Sequence, residues 1–239
     1  MGSLRRLPLT SVVNCRDLGG YYCSGKVTQY GRFLRCGIPG IPPQQDIVRL
    51  LHYGVNTVID LRGQYEKELT PSVFSYLKGV DYHSICLFEI NAAVDTDPNM
   101  TIERSYQLSV ENYKENYAEV FNTIANAENG CILFHCYFGK DRTGMLSAML
   151  LDLAGVAVED IIADYQVSYT YLLPFIRRER ANKKSLLLET DEANLKSEPN
   201  TIASFLYYIN QNYGSVEGYL KSIGVTDETI EKIRNRFFD

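Results

Sequence analysis

The residue types best suited to chemistry lie together in the stretch LFHCYFGKDRTGML, Leu133 to Leu146, which sets Cys136, Lys140, Asp141 and Arg142 in one short turn. The run CILFHC before the turn reads as a buried strand. RTGMLSAMLLDLAG after it, apolar on nearly every side, reads as a helix in the core that stops at Gly155. A loop passing from a strand end into a helix turns several backbone N–H groups toward one point, where the helix dipole is positive. Tyr137, Phe138, Gly139, Lys140 and Asp141 can curl their amides around one tetrahedral anion there. Arg142 adds a planar guanidinium that grips two phosphate oxygens at once. A thiol in such a field can titrate at about 3.5 to 7.5 instead of ~8.5. The pattern therefore describes a thiolate nucleophile, Cys136, beneath a bound phosphate.

Other chemistries fit less well. A Walker nucleotide loop needs glycine five positions before Gly139 and Ser or Thr after Lys140, where this chain has Phe134 and Asp141. A Cys–His dyad fails because neighbours on a strand point to opposite faces, so His135 is expected to hold the loop from behind. His52 and His83 are isolated, and the six cysteines (15, 23, 36, 86, 131 and 136) form no C-x-x-C pair. No metal and no cofactor is expected. A net charge of -5 with a pI near 5.3 gives no footprint for nucleic acid, so an anion must be met by local cations. The opening residues carry no apolar run of signal-peptide length, and no run reaches membrane-spanning length. A reduced, cytoplasmic chain is the expectation, with export by another route left open and the oligomeric state unspecified.

The elements that must position the turn follow from the periodicity. NCRDLGGYY and GRFLRCG read as short strands, Pro39, Pro42 and Pro43 as a loop, and Gln44 to Tyr53 as a helix. VNTVIDL (Val55 to Leu61) reads as a strand buried on both faces, and VDYHSICLF (Val80 to Phe88) as the next. Glu89 to Asn99, containing Asp95 and Asp97, is a polar loop. Ile102, Tyr106, Val110, Tyr113, Tyr117 and Ile124 recur at steps of three and four, as on one helix or two consecutive helices, with the tyrosines packed in the core. Beyond Val158 the chain is helical. The basic run Arg177 to Lys184 reads as a solvated face, and Gly214, Ser215, Gly224 and Thr226 divide the end into three short helices. Strands alternating with helices imply an α/β fold: three layers, with a mostly parallel central sheet flanked by helices.

His135, Cys136, Arg142, Thr143 and Gly144 together resemble the H-C-x5-R-[ST]-G signature of the cysteine-based protein tyrosine phosphatase superfamily. Gly139 to Gly144, G-K-D-R-T-G, is similar more narrowly to the atypical bacterial tyrosine and lipid phosphatases, the family that includes mycobacterial protein tyrosine phosphatase B. NCRDLGG (Asn14 to Gly20), FLRCG, VIDLRGQYEKE, DYQVSY and GSVEGYLKSIGV resemble further segments of that family, whereas Tyr137-Phe138 stands where the family more often has smaller residues.

The resemblance implies one phosphatase domain over 1–239, with an α/β core at 1–167, a helical lid at 168–198 and C-terminal helices at 199–239 docked on the core. It implies a phosphomonoesterase working through a phosphocysteine on phosphotyrosine proteins, with phosphoserine, phosphothreonine or phosphoinositides as further substrates. Asp141 is then the expected general acid, with Asp95 or Asp97 on the polar loop as the rival. Thr143 assists the sulfur, Lys140 meets a second phosphate from the rim, and Arg16, Asp17, Arg35, Arg62 and Glu66 form a supporting ion-pair shell. The alternative function is a catalytically silent phosphate-binding module.

Overall fold

The computed structural model describes residues 5–89, 100–181 and 195–239. Its strands are β1 (Val13–Asp17), β2 (Tyr22–Cys23), β3 (Lys26–Val27), β4 (Phe33–Gly37), β5 (Val55–Asp60), β6 (Asp81–Ser84) and β7 (Cys131–Cys136). Five of them make the central sheet, in the order β1-β4-β7-β5-β6. β1 runs antiparallel to β4, and every other neighbouring pair in this sheet is parallel. The hairpin β2–β3 stands apart. All six residues of β7 are buried, as a central strand covered on both faces requires.

Side-chain alternation sorts the core into two layers. Ile132, Phe134 and Cys136 of β7 join one apolar cluster, while Cys131 and Leu133 join the other. The second face is covered by α1 (Gln44–Tyr53), through Leu50, and by a single 3-10 turn at Val73–Tyr76, through Phe74. After α2 (Gln64–Leu69), the first face carries α3 (Ile102–Asn112), α4 (Lys114–Asn126), α5 (Asp141–Leu153) and α6 (Val158–Ala181). With them pack α7 (Pro199–Tyr213), α8 (Val216–Ser222) and α9 (Asp227–Arg236). Phe205, Ile209, Tyr219, Ile230 and Phe237 of the C-terminal segment enter the same cluster as Phe134 and Met145, so these helices share the sheet's core.

Two details differ from the sequence expectation. VDYHSICLF supplies only a four-residue strand, because after Ser84 the chain leaves the sheet, with Ile85 and Leu87 still buried against the first face. The tyrosine-bearing segment, expected as one helix or two consecutive ones, forms two that meet at Tyr113. Helix α6 runs unbroken through the expected boundary at 167/168, so the first part of the supposed lid continues a core helix. Asp95, Asp97, Lys183 and Lys184 lie outside the described residues.

Candidate active site

β7 ends at Cys136 and α5 begins at Asp141, so the residues between form a tight loop at the carboxyl edge of the sheet. The loop leans on the end of β4. A Cβ on Gly37 would lie 2.3 Å from the Phe138 carbonyl carbon, and one on Gly139, whose φ is +65°, would lie 2.4 Å from that of Cys36. Only glycine fits at either position.

The loop's carbonyls are drawn outward. Asn14 Nδ2 donates to the Gly139 carbonyl at 2.8 Å and to that of Phe138 at 3.3 Å, and Arg35 Nη2 donates to Gly139 at 2.8 Å. The Ile38 N–H takes the Cys136 carbonyl at 3.0 Å. Asn14 reaches the loop because β1 is bulged there: its φ is +53°, a value asparagine tolerates, and the register with β4 shifts between Val13 and Arg16. With these carbonyls tied behind the loop, its N–H groups are free to turn toward its centre.

Cys136 ends β7 where the loop begins, 2% exposed, on the same face as the buried side of α5. Arg142 is also buried and is gripped by both oxygens of Glu66, its Nη2 at 2.7 Å from Oε1 and its Nη1 on Oε2. Nη1 also meets the Phe88 carbonyl at 3.3 Å. Burial opposes its charge, but the Glu66 pair and the Cys136 sulfur outweigh that, raising its affinity for the proton. Arg142 Nε and Thr143 Oγ1 are both buried without a hydrogen-bond partner. Two orphaned donors beside a thiol at a helix N-terminus fit an incoming oxyanion.

Lys140 departs from its expected place at the rim. It is 1% exposed, and its Nζ donates to Asp141 Oδ1 at 3.0 Å and to the Lys196 carbonyl at 3.0 Å. Its charge is turned inward, joining the loop to the segment where the described chain resumes. Asp141 is 20% exposed and accepts a second hydrogen bond at the same oxygen, from Tyr106 Oη at 2.6 Å. The Tyr137 and Phe138 rings stand edge-on at 4.8 Å. The Phe138 ring packs on Phe175 of α6 and beside Leu172, Ile176 and Leu195.

Residues 7–239 match the tyrosine phosphatase family. The chain belongs to that family. A tyrosine-protein phosphatase of Nostoc commune is 30% identical to it over 226 residues, covering 90% of this chain and 76% of its own. The triple specificity protein phosphatase PtpB of Mycobacterium tuberculosis is 28% identical over 120 residues, 43% of this chain and 42% of its own. Among solved structures, TpbA of P. aeruginosa aligns over 85% of this chain and 96% of its own, with a TM-score of 0.45 and 14% identity.

In this tyrosine phosphatase the expected supporting shell resolves into four separate groups. Glu66 serves Arg142 alone among the shell residues. Asp60 and Arg62 pair at 2.7 Å beneath His135, whose Nε2 is 3.7 Å from Asp60 and whose Nδ1 is 3.3 Å from the Cys136 carbonyl. Burial holds His135 below its usual titration range, partly countered by Asp60. Asp17 instead organises the β2–β3 side, accepting from the N–H groups of Gly19 and Gly31 and from Tyr53 Oη.

Sequence reasoning missed Asp164 of α6, the hub of the fourth group. It takes Arg16 Nε at 2.8 Å, Arg35 through Nη1 and Tyr21 Oη at 3.0 Å. It thereby fixes the two arginines behind the loop. The available signal was a carboxylate set among Ile161, Tyr165, Ser168 and Leu172 on the inward face of a helix.

Proposed function

We propose that this phosphatase transfers the phosphoryl group of phosphotyrosine proteins to Cys136 and then to water. What carries the reading is the convergence on Cys136 of a loop with outward-tied carbonyls, the orphaned Arg142 Nε and the orphaned Thr143 hydroxyl. Sulfur attacks phosphorus while the loop amides and Arg142 hold the three equatorial oxygens, where charge spreads in the transition state. Asp141, the partly exposed carboxylate at the start of α5, gives its proton to the departing phenolate and as a carboxylate activates the water of the second step. Thr143 donates to the sulfur as it leaves.

Kinship with named tyrosine-protein phosphatases favours this enzyme over a silent phosphate-binding module. Extension to phosphoserine, phosphothreonine and phosphoinositides rests on kinship with the triple specificity relative and draws nothing from Lys140, whose ammonium faces inward. The test is turnover of a phosphotyrosine peptide, followed by acid quench and detection of a phosphate-bearing Cys136 peptide. A turnover without that adduct, or one undiminished in Cys136→Ala, overturns the mechanism. A panel of phosphoserine peptide, phosphothreonine peptide and soluble phosphoinositide then sets the substrate range.

A further inference from the structure

The tyrosine stripe of α3 and α4 reads in the sequence as packing, and the Tyr117 hydroxyl does end inside the core, 3.0 Å from that of Ser109. Tyr106 differs. Its ring is fully buried and held edge-on by Tyr165 and Phe205, at centroid distances of 6.5 and 6.0 Å. Its hydroxyl leaves the core and donates to Asp141 Oδ1 at 2.6 Å. Behind it, Tyr165 Oη lies 2.8 Å from Tyr106 Oη, and the Tyr165 ring packs on Gly144 in the first turn of α5. The hydrogen bonds therefore run from Tyr165 to Tyr106 to the loop.

We propose that Tyr106 is a positioning residue for the reaction, fixing Asp141 by one oxygen so that the other faces the leaving group. Tyr106 and Lys140 both engage Oδ1. Oδ2 is left to carry the proton that is delivered in the first step and to accept the water's proton in the second. Tyr106 suits the task because burial and the adjacent carboxylate keep its hydroxyl protonated, so it remains a donor throughout the cycle. Three aromatic rings in edge contact leave the hydroxyl no second position to occupy. Phenylalanine would fill the same space, so the requirement for tyrosine lies in its oxygen. The inference rests on the reading of Asp141 as the general acid.

The experiment compares wild type, Tyr106→Phe, Asp141→Asn and the double variant on two substrates. The 4-nitrophenolate of 4-nitrophenyl phosphate leaves without help, and the phenolate of phenyl phosphate requires a proton. Tyr106→Phe is expected to lower kcat/KM about tenfold for phenyl phosphate and less than about twofold for 4-nitrophenyl phosphate, the effect of one hydrogen bond to a charged group. In the Asp141→Asn background it should add nothing, since the group it positions is gone. Incorporation of 3-fluorotyrosine at 106, which preserves shape and donor, should restore phenyl phosphate turnover.

An equal loss on both substrates, or an undiminished loss in the Asp141→Asn background, makes Tyr106 structural and overturns the inference alone. Failure of 3-fluorotyrosine to restore turnover does the same. If Asp141→Asn itself shows no dependence on the leaving group, the acid assignment falls and the inference falls with it.

Discussion

Arg142 is held in place before any substrate arrives, because Glu66 takes both terminal nitrogens and leaves the buried Nε without a partner. Removing that clamp should matter to binding as well as to rate. Glu66→Gln is expected to raise KM for an aryl phosphate and the inhibition constant of vanadate by roughly tenfold each, since the buried arginine loses its charged partner. Steady-state kinetics with vanadate inhibition measure both, and unchanged constants would show that Arg142 holds its place unaided. Cys136→Ser should abolish turnover and retain phosphate binding, read by calorimetry, because a serine hydroxyl is hardly ionised at neutral pH while the loop is intact. Measurable turnover by that variant would remove Cys136 from the proposed role. The positions of Cys136 and Arg142 at the two ends of one loop were legible, because strand, loop and helix are contiguous in sequence. The burial of Lys140 was not, since a lysine beside an anion site reads as a rim residue until its Asp141 and Lys196 partners are seen.

At the scale of elements, the loop keeps its shape by resting against the end of β4, an arrangement that depends on the missing side chain of Gly37. Gly37→Ala would drive a methyl to 2.3 Å from the Phe138 carbonyl carbon, and neither strand nor loop can retreat cheaply. The expected result is a loss of about 1–3 kcal/mol in urea unfolding, with a fall in kcat larger than that of Gly40→Ala, where a Cβ meets open space. Equal effects at the two glycines would argue against the close approach. β5, β7, α1 and α5 were legible from apolar runs and their punctuation. Helix α2 was not: it has six residues and buries none of them. It is held by Glu66 accepting the Gly63 N–H at 2.9 Å and Glu89 accepting that of Gln64 at 2.9 Å. Periodicity has nothing to detect where caps alone make the helix.

Across the whole molecule, Asp164 ties α6 to β1 and β4 through Arg16 and Arg35, residues more than a hundred positions away in the chain. Such pairing cannot be read from local pattern, which is why the hub escaped notice while its arginines did not. Burial alone would raise the Asp164 titration point, but the two arginines outweigh it and bring it from 3.8 down to about 2. A carboxylate depressed by folding stabilises the folded state above pH about 4, and this stabilisation is lost as the pH falls toward 2. Its size is on the order of 2 kcal/mol. Urea titrations between pH 6 and 2 should show that decline in wild type. Asp164→Asn should be destabilised by about 3–5 kcal/mol at neutral pH, with a flatter acid profile. A profile unchanged by the substitution would assign the acid sensitivity to other groups. The same network, by tying the loop's carbonyls through Arg35 and through Asn14, has one more effect. A cradle assembled in advance for the group being moved is equally ready for that group after its release. Inorganic phosphate should therefore linger as a competitive product inhibitor, so that the pace of this enzyme follows the phosphate concentration around it as well as the supply of substrate.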